Sequence, residues 1–196
     1  LAPRTVTITY QTTTNTSLGL ATTLHANIIK KSFNCFTAAE VLRKHNVRIQ
    51  LIEMSQLDWW DELLNGIRDN PAADDKFSHP WLIVVIPTWS GGESHEYARA
   101  LVSGVDEIAT DWRVDPNHLQ HRLKFAVYGV GSSAYDASTF CKPAKILEKQ
   151  LRKLGAQPAN RLGMGDVEEG DIEAEFDKWA GGMLGKMGKF KTTEKE

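Results

Sequence analysis

The run WLIVVIP at residues 81–87 carries six apolar side chains in succession and closes on proline. Such a strand has no face to show to water, so it belongs in the middle of a parallel sheet covered on both sides. Helices must supply the two covers, and the rest of the chain reads that way. Residues 5–10 (TVTITY) form a first strand and 17–31 a first helix, with Leu18, Ala21, Leu24 and Ile28 on one face. Residues 47–53 (VRIQLIE) form a second strand, followed by a shorter helix over 57–68. Beyond the third strand, 81–87, residues 93–112 read as helix, with Gly104 a candidate break. Asp115-Pro116 opens a turn, a capping residue followed by proline. Residues 123–129 (LKFAVYG) form a fourth strand, 143–154 a fourth helix closed by Gly155, 159–162 a short fifth strand, and 171–187 the last helix. Five strands alternating with helices predict an α/β domain, a doubly wound three-layer sandwich around a five-stranded parallel sheet.

The bulk of the sequence narrows the function by exclusion. At 196 residues the chain makes one ordinary domain, expected over 1–187, with the charged stretch 188–196 a linker or tail. Lys and Arg number 23 against 25 Asp and Glu, a net charge of −2, which gives no basic surface for nucleic acid. No apolar run reaches membrane-spanning length and no secretory pattern opens the chain, so the sequon at Asn15-Thr16-Ser17 reads as chance. The two cysteines, Cys35 and Cys141, and the six histidines fall into no metal-ligand spacing, and a reducing compartment is expected. The cytoplasm is the first expectation, or a mitochondrion where a presequence has been removed. The start at Leu1 reads as a processed or excised piece of something longer.

The unusual residues stand at the strand ends. After the first strand come Thr12, Thr13, Thr14, Asn15 and Thr16, then an apolar helical pattern. Hydroxyls, backbone N–H groups and a helix dipole can surround a phosphate without Lys or Arg. Asn15 stands where such a turn needs positive φ, a conformation that asparagine tolerates. The same segment also fits a plain threonine-rich turn capped by Thr14 or Thr16. After the third strand come Pro87, Thr88, Trp89, Ser90, Gly91 and Gly92; after the fourth, Gly129, Val130, Gly131, Ser132, Ser133, Ala134 and Tyr135. Taken alone, Trp89 fits a packing residue as well as a ligand plate. The G-x-G-x-x-A match follows the wrong strand and lacks an acidic ribose partner, so a Rossmann turn is rejected. In a sheet of order 2-1-3-4-5 the three loops converge on one edge. A phosphate cradle and two aromatic plates suit a flat phosphorylated ring, with flavin mononucleotide (FMN) the obvious candidate.

The order Y-x-T-x-T-x-T, T-W-x-x-G and F-A-V-Y-G-V-G-S-S-A-Y resembles the flavodoxin-like FMN domains. Leu154-Gly155-Ala156-Gln157 and Leu162-Gly163-Met164-Gly165-Asp166 resemble the subset shared by diflavin reductases and tRNA-modifying radical enzymes. Ser133-Ala134-Tyr135, the stretch 170–176 and Trp179 look most like the flavodoxin domains of the eukaryotic tRNA 4-demethylwyosine synthases of the wybutosine pathway. The resemblance implies a phosphate site at residues 12–16, stacking aromatics at Trp89 and Tyr135, a ring-edge loop over 129–132 and an acidic group near the ring at Asp166. Pro87, Thr88, Ser90, Gly92 and Phe140 complete the implied site. Asn15 replaces the usual Gly, Ser132 stands where Asn is commoner, and the segment 136–140 is one residue longer than in relatives, which leaves the role of Phe140 open.

The resemblance further implies a monomeric domain that relays electrons to a [4Fe-4S] cluster cleaving S-adenosylmethionine in a tethered radical domain. That tethered domain, rather than this one, would meet the tRNA, and the external reductant is not named by the residues. Two cysteines cannot hold such a cluster, so no radical catalysis is expected of this chain alone. Asp166, Glu168, Glu169, Asp171, Glu173, Glu175 and Asp177 crowd one stretch; near a reduced flavin they would lower its potential, while from Glu173 onward they equally complement a helix dipole. The alternative is the FMN module of a diflavin NADPH-dependent reductase. A phosphoreceiver would need an acidic pair and an Asp where the threonine and tryptophan loops stand, and a stand-alone quinone reductase would need an oligomer.

Overall fold

The computed structural model describes residues 3–59 and 79–187. Strands β1 (Arg4–Tyr10), β2 (Val47–Glu53), β3 (Trp81–Pro87), β4 (Lys124–Gly131), β5 (Gln157–Pro158) and β6 (Gly163–Asp166) pair in parallel in the order β2-β1-β3-β4-β5, with β6 also on β4. Helices α1 (Thr16–Asn27), α2 (Ala38–His45), α3 (Glu96–Thr110), α4 (Lys142–Lys153) and α5 (Ile172–Met187) flank the sheet. This is the doubly wound order expected from the pattern, with β1, β3 and β4 side by side.

Side-chain alternation sends each strand into two cores. Val6, Ile8, Ile83, Val85, Ala126 and Tyr128 pack with Leu24 of α1, Ile28 in the turn that follows it, Val41 of α2, and Phe176 and Met183 of α5. On the other face Leu82, Val84, Ile86, Phe125 and Val127 pack with Leu101 and Val105 of α3 and Leu147 and Leu151 of α4. The first six residues of β3 are buried on both faces, as its unbroken apolar run requires.

Three local expectations are corrected. Helix α2 lies in a segment left without structure by the periodicity: Thr37 Oγ1 accepts the Glu40 N–H at 3.1 Å, while Glu40 Oε2 accepts the Phe36 N–H at 2.9 Å. Gly104 does not break α3; a Cβ there would lie 2.3 Å from the Trp59 indole, so the glycine is a packing notch inside an unbroken helix. The fifth strand does not occupy 159–162 but is split around it, β5 against Lys124–Phe125 and β6 against residues 128–131. Trp112 is 91% exposed just past the end of α3. The helix expected over 57–68 and the tail 188–196 lie largely or wholly outside the described residues. Among the described residues no helix is long and apolar enough to cross a membrane, and no three His, Cys, Asp or Glu side chains group to hold a metal.

Candidate functional site

The loops after β1, β3 and β4 leave the same, carboxyl edge of adjacent strands, where open parallel sheets bind ligands. Backbone bonds tie each loop to the next strand: Gln11 N–H donates to Val85 O at 3.3 Å, and Thr88 N–H to Val130 O at 2.8 Å. Residues 12–16, 87–92 and 129–135 therefore share one rim.

In the first loop Asn15 adopts φ 65°, the left-handed conformation expected of it, and serves as the N-cap of α1. Its side chain makes no capping bond, and no acidic residue occupies the first helical turn. Thr14 and Thr16 do not cap the helix either; their hydroxyls lie 3.3 Å from each other. The first-turn N–H groups of α1 are thus left without a side-chain acceptor, at the positive end of the helix dipole. Thr12 Oγ1 is buried with no hydrogen-bond partner, as are Thr9 Oγ1 and Gln11 Oε1 just before it. Buried hydroxyls are nearly always paired, so an orphan beside an uncapped helix suits an acceptor from outside the chain. The donor set is neutral, fitting the phosphate of a nucleotide.

The second loop is a tight reversal. Trp89 N–H donates to Glu93 O at 2.8 Å and Gly92 N–H to Trp89 O at 3.0 Å, with Gly91 at φ 68° and Gly92 at φ 77°. The reversal leaves Trp89 half exposed and puts its ring edge-on to His95, centroids 5.3 Å apart. His95 in turn meets Tyr97 at 5.2 Å, and its Nδ1 is buried without a partner. His95 was not foreseen: its place behind Trp89 depends on the two left-handed glycines between them.

In the third loop Gly129 and Gly131 serve helix packing. A Cβ at Gly129 would lie 2.7 Å from Ala144 Cβ, and one at Gly131 would lie 2.7 Å from the Phe140 ring. Phe140 therefore stands under the end of β4, against α4, with Lys145 Nζ 5.8 Å from its ring. Cys141 packs in the same place, and burial pushes its thiol up to about 12. Tyr135 projects on the turn beyond, 73% exposed. Asp166, at the end of β6, faces Gly131 across the sheet and accepts the Ser133 N–H at 3.0 Å. Bonds from Ser133 and then from the Glu168 N–H hold its carboxyl below the usual range.

The Flavodoxin family model matches residues 37–179. The S-adenosyl-L-methionine-dependent tRNA 4-demethylwyosine synthase of Oryza sativa subsp. japonica is 42% identical over 125 residues, 61% of this chain and 19% of that protein. The Homo sapiens tRNA 4-demethylwyosine synthase is 27% identical over 179 residues, 89% of this chain and 21% of that protein. The chain thus spans about a fifth of the length of these relatives. Among solved structures, a short-chain flavodoxin associated with a bacterial microcompartment superposes with a TM-score of 0.59 over 93% of this chain and 98% of its own, at 18% identity.

Proposed function

The chain belongs to the flavodoxin family, and from that premise we propose that it is an FMN-binding electron-transfer domain of a larger enzyme resembling the tRNA 4-demethylwyosine synthases. The observation that carries the reading is the buried, unpartnered Thr12 hydroxyl beside an uncapped helix N-terminus, on the same rim as the exposed Trp89 and Tyr135. Residues 12–16 would hold the phosphate through hydroxyl and backbone donors, with the α1 dipole adding attraction. Trp89 and Tyr135 would cover the two ring faces, excluding water from them. Residues 129–132 would follow the polar ring edge, with Asp166 setting negative charge near it. Pro87, Thr88, Ser90 and Gly92 shape the Trp89 loop, and Phe140 supports the third loop from behind. Bound FMN would supply one-electron chemistry that the chain's own side chains lack.

The domain is proposed to run over 1–187, with 188–196 leading toward a tethered radical S-adenosylmethionine domain whose [4Fe-4S] cluster receives the electrons. The match covers only about a fifth of these relatives, which supports such a partner, and their names supply tRNA 4-demethylwyosine as the product class. The decisive experiment is the visible spectrum of the purified chain, with FMN titration of any colourless fraction. Uptake of one FMN per chain, quenched in fluorescence, is expected; no chromophore and no uptake overturns the reading. Sequencing the gene beyond Glu196 separates the two larger assemblies: a CxxxCxxC motif supports the radical enzyme, a nicotinamide-binding domain the diflavin reductase.

A further inference from the structure

The turn after β4 is clasped by the chain that follows β6. Ser132 Oγ donates to Glu168 Oε1 at 2.9 Å and accepts the Ala134 N–H at 3.3 Å. Asp166 Oδ1 accepts two N–H groups, those of Ser133 and of Glu168, each at 3.0 Å. Val167 N–H donates to Gly131 O at 3.0 Å, and Tyr135 N–H to Ser132 O at 3.4 Å. The bonds close a circuit from β4 to β6 and back. They also use up donors: the N–H groups of Ser133, Ala134 and Tyr135 are all engaged inside the clasp. A hydroxyl has one proton to give, and that of Ser132 goes to Glu168.

We infer that Glu168 is a positioning residue for the ring-edge loop: by holding the Ser132 hydroxyl it keeps the turn under Tyr135 closed, donor-poor and anionic. The inference rests on the FMN reading for its effect on the cofactor. An edge with few donors and two carboxylates disfavours added negative charge on a bound ring, which makes that ring the stronger reductant. Glu168 enters through its acceptor oxygen and its charge, and two substitutions separate these. Glu168→Gln keeps an acceptor for Ser132 and removes the charge; Glu168→Ala removes both and frees the hydroxyl. The side chain is exposed, so neither variant opens a cavity.

The test has one arm without cofactor and one with it. In the FMN-free chain, amide exchange at Ser133 and Ala134 is followed by NMR. Glu168→Ala is expected to speed it roughly three- to tenfold, as for loss of an ordinary hydrogen bond in an exposed turn. Glu168→Gln should stay near the wild-type rate, and Glu168→Ala with Ser132→Ala should exchange no faster than Ser132→Ala alone. Unchanged exchange in Glu168→Ala, or simple addition in the double variant, overturns the clasp. With FMN bound, both Glu168 variants should shift the midpoint potential upward, and Glu168→Gln does so with the turn intact, which a purely structural role would not produce. An unmoved potential in Glu168→Gln overturns the tuning role. Failure of the wild-type chain to bind FMN sinks the functional reading instead, and the exchange arm still decides the clasp.

Discussion

Gly92 abuts Thr139: a Cβ at position 92 would stand 2.7 Å from the threonine Cβ and 3.0 Å from its Cα. The contact joins the Trp89 loop to the segment that leads into α4, so two of the three rim loops share one close approach. Gly92→Ala should cost about 1–3 kcal/mol, because the clash coincides with a φ of 77° that alanine resists. Since the threonine backbone is itself within reach, Thr139→Ala should not restore the loss. Urea unfolding of both variants checks this, and a silent Gly92→Ala would mean that the loops move independently.

Thr12→Val separates folding from binding. The hydroxyl is buried without a partner, so an isosteric methyl should leave the FMN-free chain as stable or more so. Affinity for FMN should fall by roughly 1 kcal/mol as a donor to the phosphate is lost. Melting temperature and fluorescence titration, measured on one sample, should move in opposite directions or the first should stay fixed.

The two exposed plates should matter to ligand and little to fold. Trp89→Ala and Tyr135→Ala should each weaken FMN binding roughly ten- to hundredfold, from lost ring contact and apolar cover. With Trp89 half exposed and Tyr135 more so, unfolding midpoints should hardly change. Isothermal titration beside thermal melts distinguishes this from two surface packing residues.

Asp166 has a pH signature of definite sign. Its carboxyl is held below the usual range chiefly by Ser133, so the ionised form is favoured in the folded chain. The stabilisation is then complete above the unfolded value near pH 4 and is lost as pH falls through the lower folded value. Asp166→Asn should therefore differ from wild type in denaturant midpoint at pH 6 and converge with it as pH falls through the lowered folded value. In the loaded protein the same substitution should raise the midpoint potential, read by spectroelectrochemistry.

How far the sequence could be read depended on whether neighbours in the chain carried the signal. The bounds of β2 and β3 match the ranges read from the sequence residue for residue, and the positive φ of Asn15 was legible from the turn it had to make. Helix α2 carried a local sign, the Thr37-x-x-Glu40 box, but the reading by apolar periodicity passed over it. The fifth strand gave no such sign. Gly163 and Gly165 look unlike strand residues, yet a Cβ at either would strike the Tyr128 ring or its hydroxyl, so tertiary packing chose glycine. The rim loops were readable because a parallel sheet puts strand-end loops together. The meeting of Ser132 with Glu168, 36 residues apart, has no local trace.

The interruption of the last strand has a bearing on solubility as well. Open sheet borders invite strand-on-strand growth by other chains, and long regular borders invite it most. Here that border consists of a two-residue piece and a four-residue piece separated by a jog, with Asn160 Nδ2 bonded to Trp179 O inside the gap. No incoming strand can stay in register past the jog, so this side of the molecule is protected from templated aggregation by its own irregularity.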